Sequence, residues 1–205
     1  MEMSEYPHLK PVFASSTMSI SRKGHFQEII TYDYEDFGAN HPNVNPTHSR
    51  SLAKNYYHFL QNSDQYNREI TMYWNNLQDE LDEEINRVNG KEVHLRIIHC
   101  NIHFRTYQTP FVQWIIEFSA PLIKGLNTYE NVIEPVTLDY PIYSVYILAK
   151  GLRVTNVSTT LDYTLNPSKR IIEYYGDEGD NLGDFEQISF SLEKILEPTT
   201  RITAK

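Results

Sequence analysis

The stretch Glu92–Phe118, EVHLRIIHCNIHFRTYQTPFVQWIIEF, constrains this chain more than any other. It reads as two β-strands joined by a polar turn. Side chains alternate across a strand, so Val112, Trp114, Ile116 and Phe118 share an apolar face, while Gln113, Ile115 and Glu117 share the other. In the first strand Val93, Leu95 and Ile97 point one way and His94 and Arg96 the other. Alternation then breaks at Ile97-Ile98. A β-bulge there restores it and keeps the apolar residues on one face, with Ile98, Cys100, Ile102 and Phe104 apolar and His99, Asn101, His103 and Arg105 polar. A turn centred near Gln108 predicts His103 opposite Gln113 and His99 opposite Glu117. A one-residue slip would send the apolar set to solvent.

The other strand signals follow one another without intervening helices, which disfavours a parallel α/β fold. Lys10–Ile20 is rich in Ser, Thr and β-branched residues. His25–Tyr34 alternates with one slip, so that Phe26, Ile29, Tyr32 and Tyr34 share faces. Val132–Ala149, interrupted by Pro135 and Pro141, then Leu152–Leu165, Lys169–Tyr175 and Asp184–Leu192 supply the rest. Ser119–Asn131, with Pro121, Gly125 and Asn127, reads as a connection. The expected count is about seven or eight strands.

Two helices precede the hairpin. Arg50–Gln61, capped by Thr47 or Ser49, carries Leu52, Tyr56, Phe59 and Leu60. A longer one is predicted over Gln65–Asn89, its stripe made of Ile70, Tyr73, Trp74, Leu77, Leu81, Ile85 and Val88, with Gly90 as the stop. The fold class is therefore α+β, mainly β: antiparallel sandwich-like sheets with one long amphipathic helix and one shorter helix. A single domain over 10–197 is expected, flanked by a loose arm at 1–9 and a tail at 198–205.

Bulk properties limit function. The net charge of -9 disfavours contact with phosphate backbones. With Cys100 the single cysteine, neither an internal disulfide nor a multi-cysteine zinc site is available. The N-terminus lacks an apolar signal core and no apolar run reaches a membrane span, so a soluble cytoplasmic protein is expected. The Asn156-Val157-Ser158 sequon carries no weight without a secretory route. No phosphate loop, nucleophile elbow or dinucleotide fingerprint is present, which lowers the expectation of an enzyme.

Three features remain as candidates. His99, His103 and Glu117 form a known metal-ligand set, two imidazoles and a carboxylate, for a divalent metal or a metal-dependent hydrolase. Arg96, Asn101, Arg105 and Gln113 on the same face suit an anion or acidic partner, with nucleic acid as a weaker reading. The acidic loop Gly176–Asp184 resembles a hard-cation loop in composition but not in spacing. His41 and His48 in the loop Glu35–Ser49 read as solvated. The leading expectation is a non-enzymatic binding or assembly module. It would meet a protein partner, or a second copy, through sheet edges and a tyrosine-rich surface that includes Tyr140, Tyr143, Tyr146, Tyr163, Tyr174 and Tyr175.

Overall fold

The structure is a computed structural model and describes residues 9–36, 55–106, 109–183 and 185–192. The N-terminal arm, the loop histidines, the cap residues Thr47 and Ser49, Leu52, the expected turn centre Gln108 and the C-terminal tail lie outside the described residues.

The mainly β, α+β class holds, but the strands are more numerous than their sequence signals, the first two running longer than expected and those after residue 132 shorter. A seven-stranded sheet runs in the order β11 (Asp162–Leu165), β12 (Ile171–Gly176), β9 (Ile142–Leu148), β1 (Leu9–Ile20), β2 (His25–Asp36), β6 (Thr109–Ser119), β5 (Arg96–Thr106). A five-stranded sheet follows the order β10 (Leu152–Ser158), β14 (Glu186–Leu192), β7 (Gly125–Val132), β3 (Ile85–Val88), β4 (Lys91–Val93). The ribbon β8 (Val136–Thr137) with β13 (Asn181–Leu182) is separate. All pairs are antiparallel except β1 with β9. The expected connection over Ser119–Asn131 instead supplies β7, a central strand.

Helix α1 spans Ser63–Glu83, preceded by helical residues 55–59. Asn62 caps it, its Oδ1 accepting from the Asp64 and Gln65 amides at 3.0 and 3.2 Å. The helix ends earlier than its apolar stripe suggests, and Ile85–Val88 is a strand. Asn89 and Gly90 have φ of 53° and 71°. Two successive left-handed residues make the tight turn that joins β3 to β4, since its backbone twist matches that of the flanking strands. Asn89 also fixes the neighbouring strand, its Oδ1 accepting from the Thr128 amide at 3.0 Å.

One apolar core joins these layers. Phe26 and Phe118 stack at 4.5 Å, and Tyr129 of the other sheet sits 5.8 and 5.7 Å from them. The helix packs on β5 and β6: Leu77 and Leu81 are buried, and the Trp114 indole donates to the Tyr73 carbonyl at 3.2 Å. Gln78 serves the irregular start of β5, donating to the Leu95 carbonyl and accepting from the Ile97 amide, both at 3.1 Å. The helix thereby satisfies backbone groups at a sheet edge that would otherwise be open for pairing. No helix among the described residues is long and apolar enough to cross a membrane.

Candidate functional site

The hairpin keeps the faces its alternation dictates. In β6 burial alternates without fault, Val112, Trp114, Ile116 and Phe118 being buried. The bulge falls at Ile97/His99, where sequence places it, although Ile98 is turned out rather than held with the apolar set. Register is where the structure differs. Thr106 pairs with Thr109, and a second irregularity follows between Phe104 and Thr106. Together these shift the pairing by two residues relative to the expected one. Because the pleat repeats every two residues, the faces survive and every cross-strand partner changes.

His99 therefore lies opposite Ile115, not Glu117, and His103 lies opposite Phe111, not Gln113. Glu117 faces Arg96, whose guanidinium donates to it at 3.0 Å. His99 contacts Asn101, Nε2 to Nδ2 at 3.1 Å, and His103 packs its ring 5.4 Å from Phe111. Gln113 sits opposite Asn101 but donates to Thr31 at 3.2 Å. Arg105 makes a two-point contact with Asp33, at 2.6 and 3.0 Å, and lies over the Phe111 ring. The metal set His99, His103 and Glu117 is not brought together, and no group of three or more His, Cys, Asp or Glu side chains among the described residues is arranged to hold a metal ion. Nor do Arg96 and Arg105 converge on an anion, each being committed to a carboxylate. In the acidic loop, the Asp180 carboxylate accepts from the Asp177 amide at 2.8 Å and so closes its own turn.

The opposite face of the same sheet holds a cavity of about 330 Å³. Its floor comes from β1, β2 and β9, and its rim from residues 136–140 and Leu182. β2 pairs without interruption with β6 from His25 to Asp33, so the slip expected in this strand does not occur. Ile29 turns outward, and Phe26, Glu28, Ile30, Tyr32 and Tyr34 share the inner face. Thus Glu28, opposite Met18 and Ile116, is placed among apolar neighbours by register alone. Its presence on the apolar side of an otherwise regular strand is the signal that sequence reading passed over.

Burial, opposed by a hydrogen bond from Ser16 and reinforced by the Glu84 charge, pushes the Glu28 carboxyl up to about 7. The Ser16 hydroxyl is also hydrogen-bonded to that of Ser144 on β9 at 3.0 Å, so a short polar chain crosses the cavity floor. Tyr32 and Tyr140 line the cavity, their rings edge to face at 6.1 Å, and their hydroxyls are hydrogen-bonded. Burial raises both phenols, so they stay neutral hydrogen-bonding groups at physiological pH.

Glu84, whose charge acts on Glu28, accepts from Asn131 at 3.0 Å, and Asn86 accepts from Tyr129 at 2.8 Å and from Asn131 at 3.1 Å. Of the tyrosines singled out in sequence, Tyr140 faces this cavity, Tyr146 and Tyr174 pack at 5.2 Å within the core layer, and Tyr163 and Tyr175 are exposed.

No family model and no curated protein matches this sequence. Among solved structures, the folded domain of Mycobacterium tuberculosis LppM is similar over 95% of this chain and 98% of that one, at 7% identity and a TM-score of 0.43.

Proposed function

We propose that this chain is a non-enzymatic binding module that holds a small molecule between its seven-stranded sheet and the β8–β13 ribbon. One observation carries the reading: a cavity of about 330 Å³ with a carboxyl held on its largely apolar floor. That volume lies at the lower end of small-molecule sites, which are mostly apolar with a few convergent polar groups and often a shifted titrating group. Ser16, Ser144 and Tyr140 are among its other polar lining residues.

The test is a ligand-observed NMR screen of small fragments against the wild type and against Ser144→Leu, which fills the floor. Fragments that bind the wild type and lose binding in the variant, with the far-UV spectrum and melting temperature kept, support the reading. An absence of binders, or binders indifferent to Ser144→Leu, would overturn it.

A second reading, protein contact through a sheet edge, is favoured by β11. All its residues are exposed, and it ends the seven-stranded sheet. An exposed edge offers unpaired backbone groups to an added strand, and Tyr163 within it and Tyr175 on the adjacent β12 are suited to recognition. Thr164→Pro would remove a strand-adding edge. Light scattering that shows the same mass for wild type and variant at every concentration would count against self-association through β11.

A further inference from the structure

We infer that the cavity between the seven-stranded sheet and the β8–β13 ribbon selects an organic cation, an amine or quaternary ammonium with an apolar body. The inference rests on the small-molecule reading above and names its ligand class. Three independent features of the cavity converge on it.

The first is shape and lining. The site is a hollow with apolar walls from Ala14, Ile30, Ile142 and Leu182, so the ligand needs an apolar body. The second is charge. Glu28 and Asp139 line the cavity, and no lysine or arginine is among its described lining residues. Beyond the wall, Glu84 acts electrostatically on Glu28, and Glu80 acts on both Tyr32 and Tyr140. Burial and its acidic neighbours Glu84 and Glu83 raise the Glu80 carboxyl as well. The third is aromatic. Tyr32 and Tyr140 present ring surface in the same cavity, where Asp139 acts electrostatically on Tyr140, and Tyr32 is itself edge-on to Trp114 at 5.4 Å. Aromatic faces and carboxylates lining one cavity are the chemistry that recognises ammonium groups, through the ring quadrupole together with the ion pair. An anionic ligand would meet the same carboxylates unfavourably, and a neutral one would leave them unrelieved.

The charge that a cation needs is supplied by ionised Glu28. Around that carboxyl stand Ser16 from β1, Tyr129 from β7, Tyr146 from β9 and Glu84 from the end of α1, with Ile116 opposite it on β6. None is basic. A bound cation is therefore the partner that favours the ionised form, and binding displaces a proton where Glu28 is protonated. Association is accordingly tighter above the Glu28 midpoint than below it.

The experiment is titration calorimetry of the whole chain with choline and with its neutral tert-butyl isostere, at about pH 8 and about pH 6. The expected result is a preference for the cation of about tenfold at the higher pH, shrinking at the lower pH. Glu28→Gln should remove the preference without lowering the melting temperature. In buffers of different ionisation enthalpy, the lower-pH titration should show proton release in the wild type and none in the variant. Equal binding of the two probes, or a preference that survives Glu28→Gln, would overturn the cation class while leaving the cavity reading standing. Failure of both probes, together with failure of the fragment screen, would overturn both. Failure of the probes alone, with neutral fragments binding the cavity, would overturn only the cation class.

Discussion

The seven-stranded sheet has two faces that differ in how their polar groups are held. Its outer face carries His99, Asn101, His103, Arg96 and Arg105, and each of these except Asn101 is exposed. Its inner face is mostly Met18, Phe26, Val112, Trp114, Ile116 and Leu148, all buried, with Glu28, Ser16 and Ser144 as minorities. The polar-rich face has its groups paired locally: Arg96 with Glu117, Arg105 with Asp33, Gln113 with Thr31. On the apolar face one carboxyl is desolvated beside a cavity. Side-chain inventory alone is thus a poor guide to a site. A polar group in water costs little and is perturbed little, whereas the same group among apolar neighbours has its ionisation shifted and is available to a ligand.

The sharpest way to break this contrast is to empty each face in turn. Trp114→Ala on the inner face should cost about 3–5 kcal/mol, since it removes a buried indole and leaves a cavity. Its outer-face neighbour, Ile115→Ala, should cost about 1 kcal/mol, because that side chain is only half-buried. Urea denaturation of both variants reads the difference, and equal costs would mean that the outer face is covered in solution.

Glu28→Gln comes next. Its folded-state carboxyl is raised from 4.5 to about 7. Stability from the neutral form is fully present below about pH 4.5 and is lost as pH rises through about 7. The glutamine does not titrate. It should match wild type near about pH 4 and exceed it at about pH 8 by on the order of 3 kcal/mol, less whatever solvent relaxation recovers. A pH-independent difference would show that Glu28 is hydrated.

This division explains what could be read from sequence. Faces were legible because they follow a strict period of two, as in Val112 to Phe118, and the Ile97-Ile98 break named its own bulge. Partners were not legible, because register is counted from the turn. The close pairing of Thr106 with Thr109 and the second irregularity beside it shift the count by two residues with no mark in the polarity pattern.

The helix end was misplaced for a related reason. Ile85 and Val88 continue the spacing of Leu77 and Leu81, but the Asn89-Gly90 pair is a hairpin signal that outweighs the stripe. The cavity was the least legible feature. Ser16, Glu28, Tyr140, Ser144 and Leu182 are brought together by sheet order and the β8–β13 ribbon, not by proximity in the chain. Glu28 left one trace, an apparent slip in the alternation of His25–Tyr34.

Within the outer face, Arg105 is the residue whose loss should be felt most. It makes a two-point ion pair with Asp33 and covers the Phe111 ring at 4.8 Å. The pair is largely exposed on the arginine side, so solvent screening limits its worth. Arg105→Ala should cost about 1 kcal/mol in low salt and less in high salt. A loss that high salt leaves unchanged would assign the effect to packing on Phe111 rather than to charge.

The smallest effect is expected where sequence first drew attention. His99 is exposed, lies opposite Ile115, and has its Nε2 beside the Asn101 amide. The carboxylate that would orient it, Glu117, is engaged by Arg96. His99→Ala should therefore change stability by no more than about 0.5 kcal/mol, the range of an ordinary surface substitution. Zinc added to wild type should leave the melting temperature where it is, because ligands that are not assembled cannot bind the folded state selectively. A zinc-dependent rise that His99→Ala or Glu117→Gln abolishes would require the hairpin to re-register by two residues. Such a slip keeps every apolar side chain buried and exchanges only the outer-face partners. Metal binding is thus a direct probe of whether the bulges and the tight turn, rather than the apolar pattern, hold this hairpin in place.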